Sequence, residues 1–499
     1  MTEQIFDAEY DLVVVGGGAA GKSAAYTAAQ AGLSVCILEK MPTMLEGSCV
    51  YAEGTAAFES SEQKARKFPI DPATGEAKTF PTKQDAFERY MNYSHFRANP
   101  EVARTMVDNA WETIDIYKSL GIEYSDVTIY AYNQELELYS FHRPEGLGLH
   151  CQETLLKAVE GAGVDIFTST PAKNVILDEG RVIGVVAEDA DGNTMRVGAR
   201  AVLLSAGGFG NNPDLVAKYS WFSRTAHDMG AAVPTQNTGE GLAMALEAGG
   251  DTENLGAVMI IAVNRGKTLT SHTSGAGSQP VLWINKTGRR FANENVAMSF
   301  ADCGNTMAKQ PDATVYAIID SDTVTHLMEE GSDIGLGDFI MYHQKLTGLQ
   351  TELDQDVADG IAWKGDTAEE LAAAIGLDPE VVAATIARYN EACDNGHDTE
   401  FFKPAASLRA VKKAPFYAIN MTGSVLVSCG GIRVNGNMQV VNREYEPIPG
   451  LYAAGMEASG LFGDTYNLDV PGTANGFAHT SGRVAARHVA ETLKASVSV

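Results

Sequence analysis

Residues 16–21 read Gly-Gly-Gly-Ala-Ala-Gly, a G-x-G-x-x-G run set directly between an apolar strand and a small-residue helix. No other feature constrains the fold as much. Residues 12–15 form a continuous apolar run, as a strand buried on both faces requires. Residues 19–31 read as a helix and 34–38 as the next strand. In such a unit the first glycine makes the tight turn and the second lets backbone approach a pyrophosphate. The third lets helix pack on strand, while the helix N-terminus faces the phosphates. Glu39 ends the second strand, 18 residues after Gly21, where an acid can hold a ribose hydroxyl pair. Strand, turn, helix, second strand and acid together predict a bound dinucleotide.

The chain continues in that style and then changes. Residues 83–121 carry helical periodicity with a break at Pro100, and 165–177, 182–188 and 195–204 read as short strands. Residues 262–427 mix short strands, polar helices and loops, with an acidic helical stretch at 368–392. The early style then returns: 450–455 ends a strand and 473–493 reads as a closing helix. The expected fold class is α/β. A Rossmann-type domain is built from both chain ends (1–261 and 428–499), with an α+β domain, 262–427, inserted in it.

With 499 residues, 45% of them hydrophobic and 20% charged, the chain can bury a large core and is not a disordered one. The 37 basic and 64 acidic residues leave a formal charge of −27, which argues against a nucleic-acid backbone or an anionic membrane as partner. The six cysteines form no C-x-x-C pair, so zinc ribbons, iron–sulfur clusters and attached haem have no support. Their scatter fits a reducing compartment. The opening residues lack a basic stretch followed by a cleavable apolar run, and stretches such as 257–263 are too short to span a bilayer. A cytoplasmic protein without a membrane span is expected.

Four more segments carry a resemblance. They are Glu39-Lys40-Met41-Pro42 leading into Glu46-Gly47-Ser48, the run from Ser205 to Asn212, the run from Asn285 to Glu294, and Pro449 to Gly455. With the glycine run they resemble the FAD-dependent fumarate reductase and 3-ketosteroid dehydrogenase superfamily over most of the chain. The resemblance implies FAD stretched across the large domain, with the inserted domain capping the flavin and substrate held between. It implies FAD contacts from Gly16, Gly18, Ala19, Ala20 and Gly21, from Glu39 and Lys40, and from Gly47 and Ser48. Ala172, Ser205, Ala206 and Gly207 follow, and then Gly455, Glu457, Thr473 and Ala474 near the C-terminus. The family often has Ala-Gly-Glu after the last strand, whereas here Met456 separates Gly455 from Glu457. No histidine occupies 46–51, where membrane-complex relatives tether flavin, so non-covalent FAD is expected.

The same resemblance speaks to substrate. Fumarate reductases clamp two carboxylates with arginines and histidines, because a guanidinium fits a carboxylate. The matching positions here are Met298, Val427 and Asp469, so fumarate and succinate are poor candidates. The stretch Thr465-Tyr466 … Pro471-Gly472 looks more like the ketosteroid branch, though two residues longer. There a tyrosine hydroxyl and a glycine N–H hold the substrate ketone. Tyr466 and Gly472 are therefore the catalytic candidates, as a small oxyanion hole. His142 and Arg143 can line the site or form a structural ion pair. His272 reads as a surface-loop residue, and Arg289 and Arg290 as structural partners of Glu294. Tyr130, Tyr132 and Tyr139 form an aromatic cluster that walls a pocket or fills core.

The first functional reading is an FAD-dependent oxidoreductase of CH–CH or C=C bonds, moving hydride between flavin N5 and a neutral enone such as a 3-ketosteroid. The alternatives are a flavin reductase of an unsaturated carboxylate, or a flavin electron carrier without its own substrate. No second dinucleotide fingerprint occurs. The partners expected are a small-molecule substrate and a separate electron donor or acceptor.

Overall fold

The computed structural model describes residues 6–66, 75, 81–127, 129–130, 136–138, 140–337 and 339–497. The fold is α/β, with an eight-stranded sheet drawn from both ends of the chain and a six-stranded sheet carried mainly by the segment inserted between them.

The larger sheet forms because four apolar segments can each be buried on both faces. Ala8–Val15 lies between Val35–Leu38 and Thr194–Leu204, parallel to both. Asp165–Phe167 extends one side, and Pro447–Ala453 the other, also in parallel. The last strand therefore returns from the far end of the chain to a sheet begun at residue 8. Thr194–Leu204 is 11 residues long and serves two partners. Its first half also pairs antiparallel with Arg181–Glu188, which pairs with Ala172–Asp178. The expected 165–177 strand is thus two strands, parted by a turn at Ser169–Pro171. The helical stretch at 83–121 is three helices, with Pro100 starting the second.

Helix Ala19–Gln30 packs against the closing helix Thr473–Val497. Small residues allow the approach: a Cβ at Gly482 would sit 2.2 Å from the Ala20 carbonyl oxygen.

The capping sheet is built on Phe416–Ser428, a 13-residue strand paired antiparallel with Thr314–Asp320, Ala362–Gly365 and Val258–Asn264. Both faces are covered, and the side chains alternate between two cores. Val315, Ala317, Ile319, Tyr417 and Ile419 enter one; Tyr316, Ile318 and Ala418 enter the other. That is why these strands read as continuous apolar runs. The positions 262 and 427 fall inside strands Val258–Asn264 and Phe416–Ser428, so the chain crosses between domains on two paired strands. The acidic 368–392 stretch is two helices, Ala368–Ala374 and Pro379–Asn395, because Pro379 starts a new first turn capped by Asp378. No described helix is long and apolar enough to cross a membrane.

Candidate active site

A cleft opens where the parallel strands end. Gly16 turns the chain with φ +97°, and a Cβ there would lie 2.7 Å from the Ser205 carbonyl oxygen, so the turn admits only glycine. The Gly17 N–H donates to Glu39 Oε2 at 2.7 Å and the Met41 N–H to Oε1 at 2.8 Å, fixing the acid at the strand end. A Cβ on Gly18 would meet nothing within 4 Å, so that residue opens onto the cleft. Gly21 stands behind it: its Cβ would fall 2.0 Å from the Gly16 carbonyl oxygen, the close helix–strand contact asked of the third glycine. The Ser205 hydroxyl donates to the carbonyls of Val15 and Gly16 at 3.0 Å, which pins the facing turn.

Gly16, Gly18, Ala19, Ala20, Glu39 and Lys40 line this cleft. So do Gly47, Ser48, Ala172, Ser205 to Gly207, and Gly455. Asn237 Nδ2 donates to Ser48 Oγ at 3.1 Å, and Lys40 Nζ binds Glu240 Oε1 at 2.6 Å across the rim. An open glycine cradle at a helix N-terminus, with an acid at the ribose position, fits FAD.

The other expected contacts sit elsewhere. Met456 lines the cleft, and Glu457 turns behind the wall. Glu457 Oε2 accepts the Gly208 N–H at 3.1 Å, its carboxyl lies against Gly241, and burial pushes its pKa up to about 7. Thr473 and Ala474 are outside this lining, at the start of the closing helix. The Thr473 hydroxyl bonds Tyr90 Oη and the Val470 carbonyl, and the Ala474 N–H donates to Tyr466 Oη at 3.1 Å.

Tyr466 is buried and stacks on Phe462 with ring centroids 5.1 Å apart. Burial raises its pKa far above the ordinary phenol value, so it is a neutral hydroxyl. Its oxygen accepts from Ala474, which leaves the hydroxyl hydrogen to point elsewhere. Gly472, two residues before Ala474, has φ +75° and is pressed against Ala56 and Phe141. Asn305 Nδ2 donates to Thr465 Oγ1 at 3.1 Å, tying the capping helix Phe300–Ala308 to the Tyr466 segment. Beside this bond a seam cleft of about 1090 Å³ is lined by Tyr93, Arg97, Trp221 and Lys309, among others.

Met298 ends a 3₁₀ turn, Glu294–Met298, and is half-buried against the capping core. Val427 is buried opposite Met259 in the crossing strands, and Asp469 is exposed.

The remaining polar candidates lie outside the cleft lining. His142 is buried, shares a 2.6 Å hydrogen bond with Ser60 Oγ, and is held neutral by burial, its pKa pushed down to about 4. Arg143 is half-buried on the same strand, with its carbonyl accepting from Ser125 Oγ. His272 Nδ1 accepts the Gly348 N–H at 2.8 Å in the capping domain. Arg290 pairs with Glu294 at 2.8 Å and with Asp398 at 3.0 Å, whereas Arg289 faces solvent, so only one of the two arginines takes the expected role. Tyr132 and Tyr139 lie outside the described residues, as does the Tyr130 side chain. Sequence reasoning missed Lys22, an ammonium buried in the first turn of the alanine-rich helix. Its signal was present: a lone lysine among the small residues that follow the glycine run.

The model of the FAD binding domain family matches residues 11–469. A vinyl phenol reductase of Lactiplantibacillus plantarum is 34% identical over 97% of this chain and 96% of its own length. An NADH:fumarate oxidoreductase of Klebsiella pneumoniae is 26% identical over 91% of this chain, which spans 45% of that protein. Among solved structures, a 3-ketosteroid Δ1-dehydrogenase from Sterolibacterium denitrificans superimposes with a TM-score of 0.75 at 20% identity, over 97% of this chain and all of that one. That last likeness concerns the fold. One sequence relative is a reductase by name and the other an NADH:fumarate oxidoreductase, which favours the alternative of a flavin reductase of an unsaturated carboxylate over the ketosteroid-type reading placed first. Cradle, acid and full-length kinship agree, and the chain belongs to the FAD binding domain family as an FAD-dependent oxidoreductase that acts on CH–CH bonds.

Proposed function

We propose that the chain reduces the C=C bond of a neutral aromatic alkene of the vinyl-phenol type, with FAD held non-covalently and electrons arriving from a separate donor. The observation that carries this reading is the character of the three clamp positions: a half-buried thioether at Met298, a buried valine at Val427 and an exposed acid at Asp469. None of the three offers a cation to a substrate carboxylate. The near full-length relationship to a vinyl phenol reductase supports the same substrate class and the reductive direction.

Reduction adds a hydride to one carbon and a proton to its neighbour. Reduced FAD, when bound, would supply the hydride. A vinyl phenol becomes a quinone methide by gaining a proton at the vinyl terminus while its hydroxyl proton leaves to solvent, and hydride addition at the benzylic carbon then puts negative charge on the ring oxygen. A fixed donor aimed at that oxygen lowers the barrier. Tyr466 suits that role, because its own oxygen is engaged by the Ala474 N–H, its proton is free to donate, and burial keeps it protonated. The non-covalent state is supported by a 46–51 loop without histidine, and the external donor by the single dinucleotide fingerprint.

A second reading, an unsaturated carboxylate, is favoured by Arg97 and Lys309 at the seam cleft beside Thr465, where they face Asp302 and Asp464. The test is anaerobic reoxidation of the reduced protein, followed by flavin absorbance, with 4-vinylphenol, acrylate, fumarate and a 3-ketosteroid enone. Fastest recovery with 4-vinylphenol is expected. Recovery with acrylate or fumarate alone transfers the assignment to the second reading, and recovery with none of the four overturns both.

A further inference from the structure

Lys22 occupies a costly place. It is only 1% exposed, in the first turn of helix Ala19–Gln30, and its ammonium has one hydrogen bond, to the Met44 carbonyl at 2.9 Å. Burial strips the charge of water. The helix macrodipole adds repulsion, since its positive end lies at that first turn. An ammonium has three N–H donors, so one bond leaves it under-satisfied. A methionine would fill the same space without these penalties.

The surroundings say what offsets them. Met44 packs on the glycine turn: a Cβ at Gly17 would lie 2.4 Å from Met44 Sδ. Met44 and Cys49 line the cleft with Gly18 and Ala19. Lys22 therefore stands directly behind the part of the cleft where the glycine cradle and helix N-terminus receive phosphate. The charged and titratable groups around it are few. Glu39 faces it from the end of the second strand, Cys49 from a short 3₁₀ turn, Ser48–Tyr51, and His479 from the closing helix. Cys49 is a protonated thiol, its pKa pushed up to about 11, and His479 is neutral, its pKa pushed down to about 3, both by burial. Glu39 is the one anion of the three, and both its oxygens hold backbone N–H groups.

We propose that Lys22 is the charge partner of the FAD pyrophosphate, a buried cation behind the glycine turn. It acts through space and through the Met44 loop, as a positioning residue for the cofactor. The inference deepens the FAD assignment and does not depend on which alkene is reduced.

Without the dianion, burial depresses the Lys22 pKa to about 8. Pyrophosphate raises it, so binding near pH 8 takes a proton from solvent. Affinity then falls as pH rises through the apoprotein value. Titration calorimetry of apoprotein with FAD at pH 8, in two buffers of different ionisation heat, measures that proton. The expected uptake is about half a proton. Lys22→Met should abolish the uptake and weaken FAD by at least about tenfold, the weight of one ion contact. Glu457→Gln, which removes the other nearby group titrating in this range, should keep the uptake. Wild-type heats independent of buffer, or a Lys22→Met protein that binds FAD as tightly as the parent, overturn the proposal. If Lys22→Met does not fold, the Glu457→Gln count decides: uptake that vanishes with Glu457 assigns the proton to that residue and refutes the role of Lys22.

Discussion

The cofactor cleft and the substrate side of the molecule are built from different materials. The cleft is made of backbone: glycines where a Cβ will not fit, N–H groups at a helix start, and an acid held by two more N–H groups. The substrate side proposed above rests on side chains from distant segments, such as Tyr466, Met298 and Val427, with the Asn305–Thr465 bond joining two such segments. Backbone geometry tolerates almost no drift, because each glycine contact is steric. Side-chain positions differ: Met298 stands where the resemblance expects an arginine and Val427 where it expects a histidine, and the fold forms with both.

That contrast can be broken at its strongest point first. Gly18 has extended φ and ψ and open space beyond its Cα, so Gly18→Val should fold but fill the phosphate position. The expected protein is colourless, with unchanged circular dichroism; a yellow Gly18→Val protein would refute the placement of the cradle. The capping domain offers the opposite test. Arg290 is buried between Glu294 and Asp398, and Arg290→Met leaves Glu294 to Lys403 at 3.4 Å and Asp398 to backbone N–H donors, a loss of up to ~3–5 kcal/mol. Chemical denaturation should show the cap melting early while FAD stays bound to the other domain. Simultaneous loss of both would mean that the two regions unfold as one.

Next in size is Tyr466→Phe, which removes one donor and keeps the ring stacked on Phe462. Substrate-driven flavin reoxidation should slow by about a hundredfold to a thousandfold, with the flavin spectrum unchanged. A change of only a few-fold would make Tyr466 a wall residue. The smallest effect is in pH. His142 and His479 are buried with pKa values pushed down to about 4 and about 3, so the unfolded chain gains protons below pH 6.5 that the folded chain refuses. Stability falls with falling pH by up to ~1.4 kcal/mol per pH unit per proton. Glu457 opposes this, since its raised value binds a proton in the folded state between about pH 7 and 4.5. Glu457→Gln should therefore steepen the loss between pH 6.5 and 4.5, measured as urea midpoints. An unchanged slope would show that Glu457 does not carry its proton there.

The sequence was most informative where local chemistry dictates structure. The run from Gly16 to Glu39 specified strand, turn, helix and acid because each residue answers to neighbours within the same unit. The return of 450–455 to the first sheet was visible in the same way, as a second apolar strand followed by glycine. What stayed hidden depends on distant partners. Arg290 finds Asp398 across 108 residues, and Tyr466 finds a backbone N–H only because the 459–472 segment folds back on the closing helix. Glu457 was expected at FAD, but one extra residue after Gly455 reverses which side chain faces the cleft. The inserted sheet hid its boundaries because the strands that enter and leave it belong to both cores.

Those two strands have a consequence for how such enzymes diversify. Val263 pairs with Thr422 and Asn264 with Met421, so the insert begins and ends at neighbouring points of one ladder. For the host domain, the whole intervening sequence is equivalent to a hairpin excursion whose ends are already closed, and its length adds little entropic cost. The insert can lengthen, shorten or be exchanged while the register at its root is kept. Selection can thus rework the substrate-facing half as a cassette, leaving the flavin machinery to be inherited unchanged.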